Sequence, residues 1–411
     1  MERVKNNLLS ILSEKNVTGV AYKNKNRKGK IINYLDQNGE KIIADIALSL
    51  NISNPKATML INELIIEGII EDYGKIGSTG GRPASKYGLA ADTCFFIGVD
   101  VKHYHVNIGL LNLKKVLVAE KMHVPYLLED TKESLDSLIS IIKKFITEAS
   151  VNPAKILSMC INLGGRINSK IGYSYSYFNF TEEPLTSVFE RQIGIFTYVE
   201  NDSRAMAYGE FIKGVVKEEK DVLFINLDFG LGLGILIDGK VYYGKSGFSG
   251  EFGHIPLFTN EIICHCGKKG CIETEASGRA LIRLFKERIE QGSTSSIINN
   301  SEKLRDLRVD DIIKGALNED MLCIDLLAEI GEKLGRGLAV LLHIFNSEMV
   351  ILGGVLINAG DYIFLPIKSA FNKYSLSIVN KDTKLCVSEL GEKAGIIGGC
   401  MIARNTLFSI T

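Results

Sequence analysis

Cys264, Cys266 and Cys271 fall within the run Cys264-His265-Cys266-Gly267-Lys268-Lys269-Gly270-Cys271, and Gly250-Glu251-Phe252-Gly253-His254 stands just upstream. Three thiols and one imidazole make a four-ligand set for Zn²⁺, and a tetrahedral site closed by Cys3His is structural rather than catalytic. Gly267 and Gly270 let the backbone turn tightly enough for the three sulfurs to converge. Two histidines compete for the fourth position. His265 lies between two of the cysteines, so its ring would have to fold back onto the ion its neighbours hold. His254 arrives from a separate segment and suits a tetrahedron better. The expected metal set is therefore His254, Cys264, Cys266 and Cys271.

The elements that hold this cluster belong to a long chain. At 411 residues, two or three domains are expected. The apolar share of 46% and charged share of 23% are ordinary for a globular protein. No apolar run reaches the ~18 residues of a membrane span, and the first residues lack the basic-apolar-small layout of a secretory signal. Eight cysteines, three of them at metal spacing, fit a reducing cytoplasm better than a disulfide framework. The net charge of zero hides an asymmetry: residues 1–90 carry 13 Lys+Arg against 9 Asp+Glu, so this part is +4 and the rest −4. A basic first part on a slightly acidic body suits a nucleic-acid module.

Residues 28–73 read as a winged helix-turn-helix. Ile31, Ile32 and Leu35 give a first helix its apolar stripe, ending near Asn38-Gly39. Ile42, Ile43, Ile46, Ala47 and Leu50 give a second, and Asn51-Ile52 makes the turn. Ser53 is a candidate N-cap, and Pro55 is tolerated in the first turn of the third helix. Ala57, Leu60, Ile61, Leu64 and Ile65 form its buried face. Asn54, Lys56, Thr58 and Met59 then look outward near its N-terminus, the positions a recognition helix offers to the major groove of double-stranded DNA. Ile69 to Tyr73 begins a wing strand. Ser78-Thr79-Gly80-Gly81-Arg82-Pro83 is a glycine-rich loop with one arginine, and Arg82 on such a loop can enter the narrow, electronegative minor groove of A·T-rich DNA. The expected division is an extension over 1–27, a DNA-binding domain over 28–90 and a body over 91–411.

From Phe95 the chain alternates strands and helices. Strands are expected at Cys94–Asp100, His105–Leu111, Lys115–Val124, Ile156–Leu163, Thr197–Glu200, Val222–Leu227, Gly234–Ile237 and Met349–Leu352. Helices are expected at Leu135–Ala149, Ser203–Ile212 and Leu326–Phe345, and Asp238-Gly239 is a hairpin signal. The early strand pattern returns after Asp221, which predicts two similar α/β lobes with a cleft between them.

Gly250-Glu251-x-Gly253-His254 followed by Cys264-x-Cys266-Gly267-x-x-Gly270-Cys271-x-Glu273 resembles the signature of the ROK family of repressors, open reading frames and sugar kinases. With the N-terminal module, the chain resembles that family's repressor branch, which includes xylose and N-acetylglucosamine repressors. The loop around Arg82 resembles the branch's Gly-Gly-Arg-Arg/Pro linker. The resemblance implies the two-lobed, actin-like and ribonuclease-H-like sugar-kinase fold, preceded by the winged helix-turn-helix. It implies a monosaccharide or sugar-derived effector in the cleft, operator DNA as partner, a structural Zn²⁺ and a homodimer or homotetramer. It assigns sugar contacts to Asn179, Asn201, Asp202, Glu251, His254 and Glu273, with Asp202 aligned to the base that deprotonates the sugar hydroxyl in the kinases. The kinases' first phosphate loop, Asp-x-Gly-Gly-Thr-Lys, is here Asp100-Val101-Lys102-His103-Tyr104-His105, and Gly-Thr-Gly of the second is Asp228-Phe229-Gly230. Phosphate cradling needs close approach of backbone N–H groups, which large side chains obstruct. The expectation is a sugar-responsive transcriptional regulator in which Asp202 is a vestigial base. A sugar kinase carrying a DNA-binding head is the alternative.

Overall fold

The computed structural model describes residues 19–75, 84–298 and 301–408. The head opens with α1 (Gly19–Asn38), whose Ile31, Ile32 and Leu35 are buried; the helix starts ahead of residue 28, so that position lies inside an element. Strand β1 (Lys41–Ile42) and α2 (Ile43–Ser49) follow, then α3 (Asn54–Ile66). Asn51 turns the chain between α2 and α3 at φ 51°, a left-handed conformation that asparagine tolerates better than most residues. Ser53 holds the N-cap position without a side-chain capping bond, and Pro55 sits in the first turn. Gly68, at φ 72°, ends the helical course, and β2 (Ile70–Lys75) pairs antiparallel with β3 (Ser85–Leu89) as the wing. Strand β1 completes this sheet on the other side of β3. Arg82 and its loop lie outside the described residues, as do residues 1–18 of the expected extension.

The body is two copies of one topology. The first lobe runs β4 (Phe95–Val101), β5 (His105–Asn112), β6 (Leu117–Pro125), α4 (Lys132–Glu148), β7 (Ile156–Leu163), β8 (Ile167–Asn168), β9 (Tyr173–Ser174), α5 (Leu185–Ile193), β10 (Phe196–Asn201) and α6 (Asp202–Lys213). The second runs β11 (Val222–Leu227), β12 (Leu231–Ile237), β13 (Lys240–Val241), α7 (Gly278–Glu290), α8 (Ser301–Arg305), α9 (Val309–Leu317), α10 (Met321–Phe345), β14 (Met349–Gly353), α11 (Asp361–Tyr374), α12 (Ser377–Asn380), β15 (Lys384–Val387) and α13 (Lys393–Phe408). Strand order is β6-β5-β4-β7-β10 in one sheet and β13-β12-β11-β14-β15 in the other. In both, three antiparallel strands lead into parallel neighbours. Asp238 and Gly239 make the β12–β13 hairpin with φ 51° and 72°, as the hairpin signal predicts.

Two helices cross between the sheets, each lying on the sheet of the other lobe. Helix α6 follows β10 but packs on β12, and α13 follows β15 but packs on β4, β5 and β7. Glycines make this close approach feasible: a Cβ on Gly232 would meet Ser203 Oγ at 1.9 Å, and one on Gly98 would meet the Ile396 carbonyl at 2.1 Å. The head shares a core with the first lobe, where Ile31, Leu35, Leu60 and Leu64 join Phe96, Leu157, Ala403 and Phe408.

Candidate functional site

The cysteine loop closes on itself as the spacing predicts. His254, Cys264, Cys266 and Cys271 bring their donor atoms within 4.8 Å of one another. Cys266 and Cys271 sulfurs lie 3.7 Å apart, and Cys264 Sγ lies 3.5 Å from His254 Nδ1. Zinc bonds of about 2.3 Å to sulfur and about 2.0 Å to nitrogen give tetrahedral edges of about 3.8 and 3.5 Å, so the donor set fits that ion in size and in chemistry. Gly267 and Gly270 take φ of 83° and 77° to make the turn. His265 Nδ1 also lies 3.7 Å from Cys264 Sγ, but it is 3.0 Å from Glu273 Oε1 and so engages that carboxylate. Burial works against the charge of Glu273, yet His265 and the Leu231 N–H hold its carboxyl below its ordinary range.

Asp202 stands at the start of α6, where Asn201 caps the helix by accepting from the Arg204 N–H. Its Oδ1 accepts from the Ser203 N–H at 2.7 Å, and its Oδ2 accepts from Asn226 Nδ2 at 3.0 Å. Asn201 Nδ2 donates to the Gly165 carbonyl at 3.1 Å, and a Cβ on Gly164 would lie 3.8 Å from Asp202 Oδ2. The loop after β7 therefore borders the carboxylate. The β11–β12 hairpin joins this group to the metal-side group: Asn226 binds Asp202, and the Leu231 N–H donates to Glu273 Oε2 at 3.1 Å. Glu251 sits 3.7 Å from His254 Nε2. Asn179 is exposed, with its backbone N–H on Asp130 at 3.3 Å. Tyr177 was not anticipated. Burial raises its hydroxyl pKa against the opposing pull of Arg279, with Asp202, Glu273 and Asp130 adding to the rise. Tyr177 also packs against the core of the first lobe. Asn226 and Tyr177 carry no motif, so only packing reveals them.

Buried Arg204 fixes the wall that leads to Glu251. Its Nε donates to Glu200 Oε1 at 2.7 Å, and its other nitrogens donate to the carbonyls of Gly247 and Ile167. Glu200 also accepts from Tyr243 at 3.0 Å. A planar guanidinium with several fixed partners orients both loops at once.

On the opposite side of the cleft, side chains from the Lys102–His105 loop meet those from the Asp228–Gly230 loop. Lys102 Nζ lies 3.3 Å from both Asp100 and Asp228, joining the lobes. His103 stacks on Phe229 with ring centroids 4.3 Å apart, Arg279 covers the Phe229 ring, and Arg308 covers Tyr104. Lys102, His103, Tyr104, Asp228, Phe229 and Arg308 border a cavity of about 300 Å³ that also touches His105, His123 and Gly354. Burial pushes the Asp100 carboxyl up to about 6. Burial alone would lower Lys102, but Asp100 and Asp228 together hold it above its ordinary value. Gly232 and Gly234 serve the packing of α6, since a Cβ on Gly234 would meet Ala207 Cβ at 2.4 Å.

In the head, Asn54 and Met59 are exposed at the start of α3, while Lys56 and Thr58 are half-buried. The Thr58 hydroxyl donates to the Asn54 carbonyl at 2.9 Å. Lys28, one of the basic residues of the head, is instead buried against Glu63 and Glu67 at 2.8 and 2.7 Å and is withdrawn from the basic surface.

The ROK family profile matches residues 96–406. A xylose repressor of Caldicellulosiruptor bescii is 31% identical over 362 residues, covering 87% of this chain and 90% of the relative. The DNA-binding transcriptional dual regulator NagC of Escherichia coli is 26% identical over 379 residues, 92% of each chain. Among solved structures, a ROK family transcriptional regulator described as a homologue of the E. coli Mlc protein superposes with a TM-score of 0.76 at 24% identity, over 95% of this chain and 98% of that one. A ROK glucokinase from Streptomyces griseus, solved with glucose and AMPPNP, gives 0.65 at 27% identity over 76% of this chain and 99% of its own. No helix among the described residues is long and apolar enough to cross a membrane. Family profile, relatives over nearly their full length and the duplicated two-lobed fold agree: the chain belongs to the ROK family.

Proposed function

We propose that this protein is a sugar-responsive transcriptional repressor that binds operator DNA through its winged helix-turn-helix and a monosaccharide or sugar derivative in the interlobe cleft. The observation that carries the reading is the match to repressors over head and body together, 87% of the chain for the xylose repressor. On this reading residues 28–90 bind DNA, with Asn54, Lys56, Thr58 and Arg82 at the duplex, and 91–411 form the sensing body. The protein acts in the cytoplasm as a homodimer or homotetramer, because a two-fold operator calls for a symmetric reader. Asn179, Asn201, Asp202, Glu251, His254 and Glu273 contact the sugar. Zn²⁺ on His254, Cys264, Cys266 and Cys271 is structural. Coordination through Nδ1 would leave His254 Nε2 as a donor towards the cleft and fix the ring that carries it.

Asp202 supports the sugar site directly. An ionised carboxylate offers about four lone-pair sites, and Ser203 and Asn226 leave capacity for a sugar hydroxyl. A charge-assisted hydrogen bond of this kind is worth about 1.5–3 kcal/mol. Asp202→Ala is expected to weaken sugar binding roughly ten-fold or more and to leave DNA affinity without sugar nearly intact. Calorimetry with D-xylose, D-glucose and N-acetyl-D-glucosamine tests this. Unchanged affinity in the variant, for a sugar that the wild type binds, would remove Asp202 from the site.

The retained Asp202 and the glucokinase likeness favour a second reading, a sugar kinase. Against it stand Lys102, His103 and Tyr104 in the first phosphate loop and Asp228 in the second, bridged to one another as described. Mg²⁺-ATP is expected not to bind at micromolar concentration, and no sugar phosphate should form. A coupled assay that shows phosphoryl transfer abolished by Asp202→Ala would establish the kinase instead.

DNA binding is expected to fall linearly in log K with log[salt], because basic side chains displace condensed counterions. Lys56→Ala should weaken operator binding by about 1–3 kcal/mol where it reaches a base. Fluorescence titration at two salt concentrations reads both effects, and an isotherm unmoved by the substitution would place the DNA elsewhere.

A further inference from the structure

Two routes of polar contacts run from the cleft helix to the head, and both end on one carboxylate. Helix α6 begins at Asp202 and carries Tyr208 further along. The Tyr208 hydroxyl accepts from Asn405 Nδ2 at 2.6 Å, and Asn405 Oδ1 accepts from Arg404 Nη1 at 2.9 Å. Arg404 Nη2 then reaches Asp36 Oδ1 on head helix α1 at 2.5 Å. Along the second route, Lys213 at the end of α6 donates to the Lys115 carbonyl. Lys115 Nζ lies 3.0 Å from Asp36 Oδ2. Asp36 is thus held by two cations, each tied to α6.

The first route rests on a rigid crossing. A Cβ on Gly398 would meet the Ala205 carbonyl at 1.8 Å, and one on Gly209 would meet the Ala394 carbonyl at 2.3 Å. The backbones of α6 and α13 touch with no side chains between them. Close-packed elements of this kind shift between discrete positions rather than deform. Buried Glu210 ties the segment before α13 to the end of α6 by accepting from the N–H groups of Leu390 and Val215. Arg404 is 1% exposed, and its Nε has no hydrogen-bond partner. A buried pair with an unsatisfied donor is a poor device for stability alone.

We propose that α13 is the coupling lever of the protein: movement of α6 on sugar binding passes through Tyr208, Asn405 and Arg404 to Asp36 and resets the docking of the DNA-binding head. The proposal rests on the sugar-responsive repressor reading and supplies its transmission. Arg404 and Asp36 act here as positioning residues, touching neither sugar nor DNA.

The test pairs a coupling measurement with a ligand-free one. Asp36→Asn combined with Arg404→Gln removes both buried charges together, which folded proteins tolerate far better than the loss of one. Sugar affinity is measured with D-xylose, D-glucose and N-acetyl-D-glucosamine, and DNA affinity with a duplex selected by the wild type from a random pool. The double variant should keep each separate affinity within about three-fold, while the sugar-induced change in DNA affinity, ordinarily about 5- to 150-fold, falls below about two-fold. A full sugar response in the folded double variant overturns the proposal. If the wild type itself binds no sugar or no DNA, the repressor reading has failed, and hydrogen exchange then decides the lever on its own. Gly209→Ala should speed exchange of the α1 amides about ten-fold, and the milder Tyr208→Phe about three-fold, whereas Lys132→Ala on α4 should not. Unchanged α1 exchange in Tyr208→Phe, or in a folded Gly209→Ala whose α6 and α13 amides exchange faster, overturns it.

Discussion

Cys266→Ser is expected to reduce zinc from one per chain to a small fraction and to loosen the second lobe while the first stays folded. Cys266 and Cys271 sulfurs sit a tetrahedral edge apart. Serine shortens that arm and replaces a thiolate with a weak ligand. Structural zinc contributes about 10–16 kcal/mol of apparent binding energy in small zinc-finger peptides. Here the loop is anchored to a larger lobe, with Phe258 N–H on the Gly270 carbonyl and Ile272 N–H on the Ile255 carbonyl. The expected loss is therefore about 3–5 kcal/mol, a portion of that scale. It should fall on the Glu251–Glu273 wall, so sugar binding weakens with it. Metal analysis together with thermal melts reads both effects. Full zinc in the variant, or none in freshly purified wild type, would refute the ligand set.

Lys102→Met is expected to cost about 3–5 kcal/mol of stability, the usual penalty for leaving one member of a buried ion pair alone. Neither oxygen of buried Asp100 has a hydrogen-bond partner, so Lys102 is its main compensation. The pH dependence follows from the direction of the Asp100 shift. Burial already holds that carboxyl at about 6, above the value near 3.9 of an unfolded aspartate. Between those values the folded state binds the extra proton, so this group's contribution to stability falls as pH rises, and levels off above the folded value. Losing Lys102 lifts the folded value further, and the gap between variant and wild type should widen from pH 5 to pH 8. Urea unfolding at the two pH values measures it. An equal loss at both would mean that Asp100 does not carry the effect. Asp100→Asn with Lys102→Met should recover much of the loss, because the fully buried charge at Asp100 is then gone and only the partly exposed Asp228 has lost its partner.

The strands of the body were legible because each is a short apolar run between turn residues: Ile156–Leu163 and Val222–Leu227 fall where the sequence places them. The metal cluster was legible for a related reason. Its candidate donors are close in sequence, and Gly267 and Gly270 supply the positive φ that a tight loop needs. The helix-turn-helix followed from apolar spacing at Ile31, Ile46 and Leu60, although α1 extends further upstream, where polar residues give no stripe.

Helix α13 was not anticipated. Its run Lys-Ala-Gly-Ile-Ile-Gly-Gly-Cys-Met has no polar face, because the segment lies between two sheets and a second helix and is buried nearly all round. A 3.6-residue stripe exists only where one side meets water. Amphipathic α7 and α9 are further helices outside the expected set.

The sequence alone determined the local matters: the types of most strands and several helices, the repeated strand pattern, the Cys3His cluster and the residues that stand in the two cleft loops. Each depends on residues near one another in the chain or on a pattern that repeats along it. Tertiary structure alone decided which distant side chains meet. It placed Asn226 on Asp202, Lys102 between Asp100 and Asp228, Lys28 on Glu63 and Glu67, and Arg404 on Asp36. Such pairs are set by how helices and sheets pack. A buried charge must find an opposite one wherever the fold brings it, and no spacing along the chain records where that will be.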